Sequence, residues 1–81
     1  MPKVFEWNGY RFFFFSNEGS PTEPCHIHVR KGESLAKFWV DPQVALASAW
    51  GLKAPELNQL EKVVLERQAE IRKAWHEHFS A

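Results

Sequence analysis

The chain has 81 residues, enough for one domain and too few for two, and a chain this short buries only a modest share of its surface. Ten basic residues balance ten acidic ones, which excludes a global field that would draw in nucleic acid or anionic lipid and leaves such contacts to local patches. A single cysteine, Cys25, excludes an internal disulfide, and no stretch approaches the ~18 apolar residues of a membrane span.

With Glu6 near its start and no apolar run of signal-peptide length, the protein is expected to be soluble and cytoplasmic, with no membrane partner. Seven Phe and four Trp compensate for the small size, because each buried ring removes roughly 150–250 Å² from water.

Val4 to Trp7 and Tyr10 to Ser16 are aromatic and β-branched runs around Asn8-Gly9, the pair that best tolerates the two positive φ angles of a type I′ turn. A hairpin is predicted, with Trp7 opposite Tyr10, Glu6 opposite Arg11, Phe5 opposite Phe12 and Val4 opposite Phe13. Phe12-Phe13-Phe14-Phe15 puts rings on both faces of its strand, which calls for cover on both sides: a helix on one, a loop or second subunit on the other. Asn17 to Pro24, with Gly19, Ser20 and Pro21, reads as a polar connection.

Cys25 to Arg30 alternates, Ile27 and Val29 on one face, His26 and His28 on the other, before Lys31-Gly32 turns the chain into a strand from about Ser34 to Val40. A two-residue loop there pairs Ile27 with Ala36 and Cys25 with Phe38; a three-residue loop with a bulge at Gly32 changes the partners by one. Pro42 ends that strand. Gln43 to Trp50 keeps period two at Val44, Leu46, Ser48 and Trp50 while its alanines favour helix, and it is taken as a short fifth strand. From Pro55 to Phe79 the apolar positions Leu57, Leu60, Val64, Ile71 and Trp75 recur at helical spacing, with Gln68 in register, and predict one long helix.

The chemistry concentrates at Glu23-Pro24-Cys25-His26-Ile27-His28-Val29. Two imidazoles on one strand face can act as general acid and base on a phosphodiester, or ligate a divalent metal such as Zn²⁺. A catalytic zinc wants a third protein ligand, from Glu23, His76, His78 or a second subunit; His76 and His78 point about 200° apart on a helix and cannot chelate together. Arg11, Arg30, Lys31 and Lys37, interleaved with aromatics, form a local patch that suits phosphate or nucleic acid. Cys25 and His26 face opposite ways as strand neighbours, so Cys25 reads as a structural thiol rather than a nucleophile.

Gly9-Tyr10-Arg11-Phe12-Phe13-Phe14-Phe15-Ser16-Asn17-Glu18, the His26-Ile27-His28-Val29 run, Ala36-Lys37-Phe38-Trp39-Val40-Asp41-Pro42 and Trp75-His76-Glu77-His78-Phe79 resemble the small bacterial domain-of-unknown-function family 4160 over nearly the full length. The chain departs from that pattern at Cys25, where the family usually shows proline. The resemblance implies a compact α+β protein, often encoded beside another small protein, commonly of domain-of-unknown-function family 2442, as in toxin–antitoxin-like pairs.

The expected architecture is α+β: a single domain over 1–81 with a four- or five-stranded, mainly antiparallel sheet (strands about 3–50) packed on one long C-terminal helix (about 55–79). The expected function is that of an interaction protein without a cofactor, half of a two-gene toxin–antitoxin-like module, which binds a small partner encoded nearby through its aromatic-rich sheet; a homodimer is a further way to cover that sheet. The alternatives are a small metal-independent ribonuclease or phosphoesterase, with His26 and His28 as acid and base and Arg30, Lys31 and Arg11 holding phosphate, and a protein that binds metal through His26 and His28.

Overall fold

β1 (Lys3–Trp7) and β2 (Tyr10–Phe13) form the predicted hairpin, with positive φ at both Asn8 (52°) and Gly9 (83°) as a type I′ turn requires. The computed structural model describes residues 3–16 and 23–79. It continues with β3 (His26–Lys31), β4 (Ser34–Trp39) and β5 (Ala45–Trp50), and the five strands pair antiparallel in chain order. α1 (Ala54–Glu66) and α2 (Gln68–Phe79) follow. Most of the connection expected between Asn17 and Pro24 lies outside the described residues.

The hairpin register holds at Trp7 with Tyr10, Glu6 with Arg11 and Phe5 with Phe12, where the two Phe rings stack at 4.4 Å. Beyond Phe5 the register shifts, so that Lys3 rather than Val4 faces Phe13, and β2 ends at Phe13 rather than Ser16. The β3–β4 turn also differs from expectation: Lys31 pairs with Ser34, and Ile27 lies opposite Phe38 rather than Ala36. Gly32 (φ 59°) is therefore the first of two loop residues, where a type II′ turn demands glycine, and Lys31 needs no positive φ. The displacement is two residues, an even number, so every β3 side chain keeps its expected face.

One sheet face supplies Phe5, Phe12, Ile27, Val29, Ala36 and Phe38 to a core closed by Leu60, Val63, Val64 and Ile71 from the helices. Polar ties fix the helices in place. Tyr10 Oη donates to Glu56 Oε2 at 2.9 Å, while Glu56 Oε1 accepts the Lys53 backbone N–H at 3.0 Å and so caps the start of α1. At the far end, Arg72 donates from Nε to Asp41 Oδ1 (2.8 Å) and from Nη2 to the Val40 carbonyl (3.2 Å).

The single long helix expected over 55–79 is two helices. Arg67 leaves helical geometry (φ −112°, ψ 23°) although neither Gly nor Pro is nearby. Its N–H is shared between the carbonyls of Val63 (3.0 Å) and Val64 (3.3 Å), the tight ending of a last turn, and Gln68 Nε2 donates to the Leu65 carbonyl at 3.1 Å. Tertiary contact accompanies the break: the Arg67 guanidinium lies 4.3 Å from the centre of the Phe5 ring, and the new axis keeps Ile71 and Trp75 buried. Among the described residues no helix is long and apolar enough to cross a membrane.

Candidate functional site

The helices cover one sheet face; alternation places the chemistry-bearing side chains on the other, where Trp75 of α2 still reaches the His26 ring at the end of β3. From the strand register, Glu6, Arg11, Arg30, Leu35 and Trp50 form one cross-strand row. The next row is Lys3, Phe13, His28, Lys37 and Ser48, and His26, Trp39 and Ala45 form a third. Of the four Phe in the run, Phe12 and Phe14 join the core beneath, while Phe13 is fully buried on the open side without a second subunit.

His26 and His28 point the same way, as alternation predicts, with ring centres 5.3 Å apart and planes nearly perpendicular. Both are enclosed: His26 is 0% and His28 7% exposed. The His26 ring lies against Trp39 (5.5 Å) and Trp75 (5.0 Å), and its Nδ1 donates to the Pro24 carbonyl at 2.9 Å, which fixes the proton on that nitrogen. His28 sits between Phe15 (4.5 Å) and Phe13 (5.6 Å). Two polar rings thus occupy places that apolar rings would fill in an ordinary core, and His26 presents no surface to solvent.

The other candidate ligands lie apart from the pair. Glu23 approaches Lys37 Nζ at 3.9 Å, His78 lies beside Phe79 (4.5 Å), and His76 is in the exposed last turn of α2. Among the described residues no three His, Cys, Asp or Glu side chains gather closely enough to share a metal ion. Cys25 faces the core on the side opposite His26, and burial, reinforced by the Asp41 charge, pushes its thiol up to about 12, so it stays protonated at neutral pH.

Arg11, Arg30 and Lys31 do come together. Register sets Arg11 directly opposite Arg30, and the three cations line a hollow of about 310 Å³ with Glu6, Gly9 and Gly32. His28 borders a different, smaller hollow of about 160 Å³ with Leu35, Lys37, Ser48 and Trp50. The Phe13 ring stands between the two groups, 5.6 Å from the His28 ring and 5.7 Å from the Arg30 guanidinium.

A further feature escapes motif reading. Every residue of β5 beyond Ala45 is exposed, on both faces of the strand, with Trp50 67% and Leu46 42% accessible. Trp50 stands beside Leu35 on the open face and Leu46 beside Phe38 on the helix side, past the reach of the helices. The signal available in the sequence is the absence of charge from Pro42 to Leu52, which is unusual for an edge strand.

The family described as Domain of unknown function (DUF4160) matches residues 9–76. The chain belongs to this family. The match to domain-of-unknown-function family 4160 takes in the first hairpin from Gly9, both histidines of β3, all of β5 and the helices as far as His76. No curated protein and no solved structure matches the chain.

Proposed function

We propose that this protein is an interaction module, one half of a bacterial two-gene, toxin–antitoxin-like pair, and that it takes its small partner protein along β5. The observation that supports this reading is the exposure of β5. Sheet edges are ordinarily blunted by charge, proline or a covering element, because their free N–H and C=O groups recruit other chains. β5, irregular in register between Leu46 and Ser48, presents Ala, Leu, Ser and Trp side chains and no charge, whereas the opposite edge, β1, carries Lys3 and Glu6. An extended segment of the partner adds as a strand beside β5; main-chain hydrogen bonds give affinity, and Trp50 and Leu46 anchor the two faces.

In this reading His26 and His28 are packing groups that build the floor of the open face. The test is co-expression with the small protein encoded next to it. The two proteins are expected to co-purify, and Trp50→Glu with Leu46→Glu is expected to separate them while the domain stays folded. A wild-type monomer that ignores its neighbour's product overturns the proposal. Chromatography with light scattering distinguishes that outcome from a homodimer paired through the same edge.

A further inference from the structure

We infer that the hollow bounded by Arg11, Arg30 and Lys31 is a binding site for a phosphate group, separate from the β5 edge. Three observations carry the inference. Arg11 and Arg30 are direct cross-strand neighbours, and like charges in that position repel unless an anion lies between them. The cations are also held in a way that leaves their charge available: Arg30 rests on the Phe13 ring, and Lys31 Nζ lies 4.7 Å from the centre of the Tyr10 ring. Among the described residues, none of the three makes an ion pair.

The third observation is that two nearby carboxylates, Glu6 and Glu56, are already engaged. Glu6, the one acid among the described residues lining the hollow, takes Lys3 Nζ at 3.1 Å. Glu56 is near enough to feel the charge of Lys31, but its oxygens are held by the Tyr10 hydroxyl and the Lys53 N–H. Arg11 and Arg30 therefore share a hollow of about 310 Å³ with Glu6, which is already paired, while Lys31 stands at its edge with its ammonium turned over Tyr10; the volume is at the small end of ligand-sized cavities. Guanidinium forks match the oxygens of phosphate two at a time, and Lys31 adds a mobile point charge at the rim. Either inorganic phosphate or the phosphate of a nucleotide chain supplies that chemistry.

The experiment is an amide and arginine-side-chain NMR titration of the full chain, at constant ionic strength, with inorganic phosphate in one arm and a ten-residue oligouridylate in the other. Saturable shifts centred on Arg11, Arg30, Lys31 and Gly32 are expected, and Arg11→Gln with Arg30→Gln is expected to weaken binding by at least about tenfold. Saturation by phosphate with no tighter binding of the oligomer identifies a free-anion site. Tighter binding of the oligomer, with a salt dependence that flattens in the variant, identifies a nucleotide backbone. Thermal melts give a second readout: phosphate should raise the melting temperature of the wild type but not of the variant. Shifts that never saturate in either arm, or binding unchanged in the double variant, overturn the inference. Trp50→Glu should leave phosphate binding intact, so this result stands or falls apart from the partner proposal.

Discussion

β3 and β5 lie on either side of β4 and reverse the usual rule about what goes inside. β3 seals two histidines, His26 and His28, among aromatic rings, while β5 leaves a tryptophan and a leucine in solvent. Position in the sheet explains the contrast better than residue type. β3 is the central strand, covered by helices on one side and by Phe13, Phe15, Trp39 and Trp75 around its histidines; β5 is an edge that the helices do not reach. The buried His26 is tied by its Nδ1–H to the Pro24 carbonyl and packed against Trp39 and Trp75, and an exposed apolar edge makes sense when another chain completes it.

The hardest blow to the contrast is truncation at the centre. Ile27→Ala, at a fully buried site, should cost about 2–5 kcal/mol in urea unfolding, whereas Leu46→Ala should stay within about 0.5 kcal/mol. Equal losses at the two sites would mean that β5 is as well packed as β3.

His26→Ala comes next. Loss of the Pro24 hydrogen bond and of packing against Trp39 and Trp75 should cost about 2–4 kcal/mol. A variant that melts like wild type but loses ribonuclease activity or toxicity would move the histidines from packing into chemistry.

Trp50→Ser should be nearly silent in the isolated protein, within about 0.5 kcal/mol, yet weaken partner binding by roughly 2 kcal/mol or more, read by calorimetry on the purified pair. A strong loss of stability with no change in affinity would assign the ring to this domain's own packing.

Cys25 offers a smaller test of how closed the β3 side is. With its thiol pushed up to about 12, it should resist a disulfide reagent at pH 8 in the native state and react promptly in denaturant.

The smallest effect concerns Glu56. The Lys53 N–H, then the Tyr10 hydroxyl, hold its carboxyl below the usual carboxylate range. A depressed folded-state pKa contributes stability above the unfolded value of about 4.3, and that contribution disappears as pH falls through the folded value. Glu56→Gln should therefore lower the melting temperature at neutral pH and converge with wild type in acid.

How much of this was readable beforehand varies from element to element. Asn8-Gly9 specified its turn and three of four cross-strand partners, because positive φ at both loop positions admits little else. The irregularity at Val4 has no residue signature. At the second turn Gly32 marked the bend but not its place within the loop, which moved every partner by two and left the faces unchanged. The apolar stripe of the C-terminal segment was legible, but its interruption at Arg67 was not, since the ring of Phe5 that Arg67 meets is sixty-two positions away in sequence.

Alternation in the chain alone determined that the two imidazoles share a face and that Arg30 shares it with them, because geometry within one strand leaves no other choice; that Arg11 joins them follows from the pairing of β2 with β3. Tertiary structure alone decided that the imidazoles are enclosed, that the arginines stand side by side, and that β5 is bare. Enclosure and exposure depend on which elements end up stacked over a strand, and that depends on distant surfaces meeting, which no local pattern encodes.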